Sequence, residues 1–333
     1  MPLNEFDKIK THPAKRPDAP DVPAPSERRD EVAYAELAVT TNYTFLTGAS
    51  HPEEMVEQAA ALGHAACAIV DLNTLAGIVR AHCAAKAAKV PLAIGSRLRL
   101  RVREDDEAQS LDVLTFATSR DAYSRLSRLL TLGKRRAPKG ECDLTLHDLL
   151  EDHHGLLAVV VPPLALGSGF VEAVEAMRDV FRDDRLSLAV RREHGPDDGA
   201  AFARASALAS YTRVPLVAVN DAHYHTPARR DLQDVLTCIR HGCTIHEAGA
   251  RLYPHGERFL KAGSEMLRLF PGLSHAVRRS VDIALRAAAF SLDELRYEYR
   301  VEVGPPGVPA IAHLRELTMQ GAAVRYGSEV PKL

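Results

Sequence analysis

The sequence predicts an α/β fold whose strands close into a barrel, and two observations carry that reading. Short apolar runs alternate with helical stretches about seven times over roughly 200 residues, the pattern of parallel strands wrapped by outer helices. Polar residues recur just past the strand ends, at Thr40, Thr41, Asp71, Asn73, Arg97 and Asp221. An open doubly wound sheet also satisfies the alternation, but it spreads those ends apart, whereas a barrel gathers them at one mouth.

Residues 1–30 carry Pro13, Pro17, Pro20, Pro23 and Pro25 among charged residues and almost no apolar ones, which predicts a disordered tail. From Tyr34 the barrel pattern begins. Residues 35–41 read as a strand, and Ser50-His51-Pro52-Glu53 as a helix start, with Ser50 as cap and Glu53 placed for a capping box. The helix over 53–62 stops at Gly63, and the strand over 66–70 ends in Asp71. A helix follows over 74–88, then a strand over 91–94. Residues 98–102 and 111–117 are spaced to pair as a hairpin around a charged loop, 104–109. Helices over 120–132, 170–181 and 199–211 then alternate with strands over 155–161 and 186–190. The strand over 214–219 closes the series and ends in Asn220-Asp221-Ala222-His223, where side chains two apart share a face. That pair begins a metal or phosphate site, or is a mutually satisfied hydrogen bond at a strand end.

Composition narrows the function. The net charge is -2 with 26% charged residues, so contact with a polyanion must be local. Five cysteines without a C-x-x-C, and no apolar run long enough to span a bilayer, fit a reducing cytoplasm and no membrane partner. The spacing of Cys238, Cys243, His241, His246 and His255 matches no standard zinc pattern. A basic run, Lys134-Arg135-Arg136 with Lys139, falls in a loop after a helix and is a candidate nucleic-acid contact. No aromatic alternates with it, so base stacking is not indicated there.

Several ordered motifs together resemble one family. YAELAVTTNYTFLTGASHPEEMVEQAAALGHAACAIVDLNTLAG, PLAIGSRLRL, and VNDAHYH followed by LQDVLTCIR are similar to the polymerase-and-histidinol-phosphatase (PHP) domain of bacterial C-family polymerases, the DNA polymerase III alpha subunit family. RLLTLGKRRAPKGECDLTLHDLL, Pro254 with Glu257-Arg258-Phe259-Leu260, and the stretch from Tyr297 to Tyr326 resemble its error-prone, translesion branch. The resemblance implies a distorted (β/α)7 TIM-like barrel over 31–253, then a mainly helical start of the polymerase core over 254–333.

Active members hold two or three metal ions at the barrel mouth, and the resemblance allows each ligand position to be checked. The opening His-x-His falls on Ala38 and Thr40, the Asp that follows on Thr47, and the Asp-His pair on Asp71-Leu72. The Gly-x-Glu reads Gly95-Ser96-Arg97, leaving only Asp71, Asp221 and His223 as vestigial ligands. A divalent ion needs several deprotonated donors, so three side chains hold at best one ion in an open site. A guanidinium about 4 Å from a dication costs on the order of several kcal/mol even at an effective dielectric near 20. Arg97 would instead pair with Asp71 or Asp221.

The sequence therefore predicts a structural support region of an error-prone polymerase, with no cofactor and no catalytic residue. The palm carboxylates that nucleotidyl transfer needs have no counterpart before Leu333. Expected partners are the remainder of a polymerase core, if encoded separately, together with translesion accessory proteins and DNA. Two readings compete. One is a phosphoesterase or 3'-5' proofreading exonuclease on a single Zn, Mn or Mg ion held by Asp71, Asp221 and His223. The other is a nucleic-acid-binding module acting through the tail and Lys134 to Lys139.

Overall fold

The computed structural model describes residues 32–103, 106–163, 168–192, 194–195, 197–295, 304–305 and 307–327. The predicted tail and residues 104 and 105 of the charged loop lie outside them. Three parallel strands open the barrel: β1 (Ala35–Val39), β2 (Ala66–Ile69) and β3 (Leu92–Arg103), joined by helices α1 (Pro52–Ala61) and α2 (Ile78–Ala88). A hairpin then leads from β3 into β4 (Asp106–Ala117), which pairs antiparallel on both sides, with β3 and with β6 (Leu156–Val161). Between them come α3 (Arg120–Arg136), the two-residue strand β5 (Leu144–Thr145) against β3, and α4 (Leu146–Glu151). Parallel order resumes through α5 (Ser168–Val180), β7 (Leu186–Val190), α6 (Asp198–Thr212) and β8 (Leu216–Ala218). The wall thus runs β1-β2-β3-β4-β6-β7-β8. The hairpin expected between 98–102 and 111–117 forms and interrupts the parallel order at β4, because a hairpin, unlike a helical crossover, can only return antiparallel.

Strands β2, β6 and β8 are buried on both faces, which explains why their sequences are apolar runs without polar alternation. In β6, Leu156, Ala158 and Val160 face the outer helices, while Leu157, Val159 and Val161 face the barrel interior. In β8, Leu216 and Ala218 face outward and Val217 inward, as does Val219 just past the strand. The two ends of the sheet meet where Thr40 N–H donates to the Ala222 carbonyl at 2.9 Å. Elsewhere along that seam one side chain spans the gap. The buried Glu36 accepts Tyr34 Oη at 2.6 Å and Asn220 N–H at 2.8 Å on one oxygen, and Ala38 N–H at 2.9 Å on the other. Burial raises its pKa, against the lowering effect of those three bonds.

Beyond β8 lie α7 (Arg230–His241), α8 (Ile245–Ala248), α9 (Gly263–Leu269) and α10 (Ser274–Ala287). Helix α10 lies across the N-terminal ends of the strands. Ser280 Oγ accepts the first amide of β1, Ala35 N–H, at 3.2 Å, and Arg279 Nε donates to Ser187 Oγ of β7 at 2.9 Å. Its Ile283, Ala284 and Ala287 join the interior cluster with Ala68, Phe116 and Val217. The compact unit therefore runs through Leu292, well past the boundary expected at 253. The apolar face of α10 has its counterpart in the barrel floor. A second unit, from Asp293 onward, contains α11 (Ala310–Tyr326), which buries none of its own residues.

Three local expectations are corrected. Helix α1 is capped by His51, whose N–H donates to Glu54 Oε2 at 2.8 Å, while Ser50 Oγ bonds His225 Nδ1 at 2.7 Å. Helix α3 continues through Arg136, so Lys134, Arg135 and Arg136 form its last turn, where cations complement the helix dipole. The last strand shortens to Leu216–Ala218, and Asp221 adopts a left-handed backbone with φ 55.

Candidate functional site at the barrel mouth

At the C-terminal ends of the strands a cavity of about 1250 Å³ opens, and the predicted positions gather there. Thr40, Thr47, Leu72, Arg97, Asp221 and His223 all line it. Asp71 is buried beneath, and Ala38 faces the barrel interior. Asp221 and His223 come together through the left-handed turn at Asp221 rather than through strand pleating, with Nε2 3.7 Å from Oδ1.

Each of the three candidate donors, Asp71, Asp221 and His223, is already engaged. Asp71 Oδ1 accepts Thr41 N–H at 2.8 Å and Thr44 Oγ1 at 2.7 Å, and its Oδ2 accepts Thr41 Oγ1 at 2.7 Å. Burial nevertheless raises its pKa, since those bonds offset only part of the lost hydration. Asp221 takes the opposite course. Burial would raise its carboxyl, but Arg97 and Arg258 together hold it well below the usual range. Arg97 Nη2 bonds Oδ1, and Arg258 Nη1 donates to Oδ2 at 2.5 Å. Gln233 Nε2 donates to His223 Nδ1 at 2.8 Å, and burial lowers this imidazole to about 4, so the ring is neutral at pH 7. Among the described residues no three His, Cys, Asp or Glu side chains converge as a metal would need. That statement covers Cys238, Cys243, His241, His246 and His255.

Arg97 therefore takes Asp221 rather than Asp71, with Asp112 Oδ2 a further 3.8 Å contact. The second clamp on Asp221, Arg258, is 37 residues away in sequence and has no local signal there. Tyr253 supports it, with the Arg258 guanidinium 4.6 Å from the ring centroid and the His223 ring edge-on at 5.2 Å. Arg240 was equally hidden; its Nη1 donates to Thr47 Oγ1 at 2.9 Å, so the Thr47 hydroxyl holds a cation. The basic run divides. Lys134 and Lys139 line the mouth, Arg135 is exposed elsewhere, and Arg136 forms a bidentate pair with Asp148 at 2.7 and 3.0 Å.

Comparison with known proteins places this geometry. The PHP domain family matches residues 36–190. The error-prone DNA polymerase of Caulobacter vibrioides is 45% identical over 301 residues, covering 90% of this chain and 27% of that protein. Error-prone DNA polymerase 1 of Agrobacterium fabrum is 42% identical over 299 residues, with 90% and 26% covered. Residues 36–190 are therefore similar to the PHP domain, and nine tenths of the chain is similar to proteins named error-prone DNA polymerase. The chain spans about a quarter of the length of these relatives. Among solved structures, an amidohydrolase from Chromobacterium violaceum is 16% identical, with a TM-score of 0.42 over 58% of this chain and 88% of that one. Among the described residues the barrel mouth is lined by seven arginine and lysine side chains and two carboxylates, Asp221 and Glu141. Such a surplus of cations is the reverse of what repeated divalent-ion binding requires.

Proposed function

We propose that this chain is the PHP-domain region of an error-prone DNA polymerase in which the barrel supports the polymerase body and no longer hydrolyses phosphoesters. The observation that carries the reading is the Arg97–Asp221–Arg258 cluster, in which two guanidiniums occupy the charge of the carboxylate that a metal ion would need. The remaining donors do not fit a divalent ion either. Asp71 spends both oxygens on Thr41 and Thr44, and His223 Nδ1 is held by Gln233. Any cation entering would have to break those bonds and displace two positive charges, each step costing about 1–3 kcal/mol or more. What the barrel retains is a rigid, fully packed wall, suited to holding other segments of a longer polypeptide, with DNA and translesion accessory proteins as the partners of that assembly.

The test is elemental analysis of gently purified protein beside hydrolysis of bis-p-nitrophenyl phosphate with added Mn, Zn or Mg. The expected result is substoichiometric metal and no turnover above buffer. Stoichiometric transition metal, with turnover that vanishes in Asp221→Ala, would overturn the reading in favour of a phosphoesterase or exonuclease.

A further inference from the structure

Helix α7 ends in a turn whose backbone is fixed and whose two facing side chains are both cysteines. Gly242 takes the left-handed conformation that stops the helix, with φ 60, and its N–H donates to the Ile239 carbonyl at 3.2 Å. The following amide, Cys243 N–H, reaches back to the Cys238 carbonyl at 3.1 Å. These two bonds, one nested inside the other, close the helix end and bring the side chains that flank the turn together, usually as an apolar contact. Here the flanking pair is Cys238 and Cys243, and both thiols are free.

The element that follows holds the second cysteine as firmly. Thr244 opens α8, its N–H and Oγ1 donating to Glu247 Oε2 at 3.1 and 2.9 Å. Cys243 is thus pinned between a helix end and a helix start, with little freedom to carry its sulfur away. Burial raises the Cys238 thiol, and the Cys243 thiol, in hydrogen-bonding contact with it, raises it further. Both cysteines line a surface cavity of about 400 Å³ with Val235, Ile239 and Ile245, which gives a small oxidant a way in. Cys238 is buried and Cys243 half-buried, so Cys243 is the one that solvent reaches first. Cys67 contrasts with them: it lies in the core, where burial pushes its thiol up to about 12.

From this geometry we infer that Cys238 and Cys243 are an oxidisable dithiol, a modification site that a hydroperoxide converts to a disulfide across the end of α7. The Cys243 thiolate attacks a peroxide oxygen and the O–O bond breaks; the departing oxygen takes up the proton that the thiol released and leaves as water or an alcohol. The Cys238 sulfur then attacks the sulfenic sulfur, the S–O bond breaks, and the hydroxyl leaves as water with the Cys238 proton. Two thiols have lost two electrons and two protons, and one hydroperoxide has been reduced. The cross-link ties the last turn of α7, from which Arg240 reaches Thr47, to the start of α8. It is independent of what the barrel mouth binds.

The experiment treats the full chain with hydrogen peroxide and digests it with trypsin without reductant. Trypsin cuts after Arg240, between the two cysteines, so the disulfide joins the peptides 231–240 and 241–251 until dithiothreitol separates them. That joined pair is expected to dominate over every other cysteine pairing, and in Cys238→Ser dimedone, which traps sulfenic acids, is expected to mark Cys243. In a glutathione redox buffer the equilibrium constant for the pair is expected to be at least about tenfold larger in the folded protein than in guanidinium, because the native turn has already closed the loop. Gly242→Val, strained in the left-handed conformation, is expected to lose most of that advantage while still unfolding cooperatively.

Peroxide treatment that leaves the two peptides separate would overturn the inference. So would an equilibrium constant no larger in the folded protein than in guanidinium, or one that Gly242→Val leaves unchanged. The comparison of folded with unfolded wild type stands even where Gly242→Val fails to fold.

Discussion

At the scale of single residues, Asp221 decides how the mouth behaves. It is the shared counterion of two largely buried guanidiniums, so removing it takes from both their shortest carboxylate contact. Asp221→Ala is expected to destabilise the protein by about 3–5 kcal/mol, read from denaturant unfolding, with Asp221→Asn costing less because it keeps the hydrogen bonds. His223 gives a second prediction. Its folded pKa of about 4 lies below the unfolded value of 6.5, so the unfolded state takes up the proton first as pH falls. Stability from this residue is complete above 6.5 and is lost between 6.5 and 4, on the order of 3 kcal/mol in all. Asp71 and Glu36, with raised pKa values, tilt the profile the other way at the acid end. The informative measurement is therefore the difference between wild type and His223→Gln: the variant should lose the slope across that window, and parallel profiles would contradict the assignment. Asp221, His223 and Arg97 were legible in the sequence because each belongs to a short motif at a strand end. Arg258, Arg240 and Tyr253 were not, since only folding brings α7 and the segment after it over the mouth.

At the scale of elements, the sequence carried the period of each strand and helix but not every partner. The apolar runs over 66–70, 155–161 and 186–190 became strands β2, β6 and β7 because only a two-sided burial suits an unbroken apolar run. Helix α10 falls in the stretch expected to be mainly helical, yet nothing in its periodicity says that its apolar face fills the barrel floor. That placement depends on shape, which Ile283 supplies. Ile283→Ala is expected to cost about 2–4 kcal/mol by leaving a cavity beneath Val217 and Phe116, measured by chemical denaturation. Gly95 in β3 is constrained for a different reason. A Cβ there would lie 2.3 Å from the Thr115 carbonyl oxygen of β4, a backbone atom that cannot swing aside. Gly95→Ala is expected to cost at least about 1–3 kcal/mol and to loosen the β3–β4 pairing, seen as faster amide exchange along β4.

At the scale of the whole molecule, the compact unit ends at Leu292, and this sets where the chain can be cut. A fragment ending at residue 295 should unfold in one cooperative transition. A fragment ending at 253 lacks α9 and α10, exposes the interior cluster at the barrel floor, and should be recovered as aggregate or as a non-cooperative species. Equal cooperativity of the two fragments would show that α10 is dispensable. The cylinder itself has one line along which it is held differently from the rest. Where neighbouring strands elsewhere are laced by repeated peptide bonds, the first and last are joined by the peptide bond from Thr40 to Ala222 and by Glu36, whose carboxylate reaches across to Asn220 while holding Ala38 on its own strand. Thermal breathing of the wall is therefore concentrated on that line: its amides, those of Ala38 and Asn220, should exchange together and first, as a zip opens from its one weak tooth.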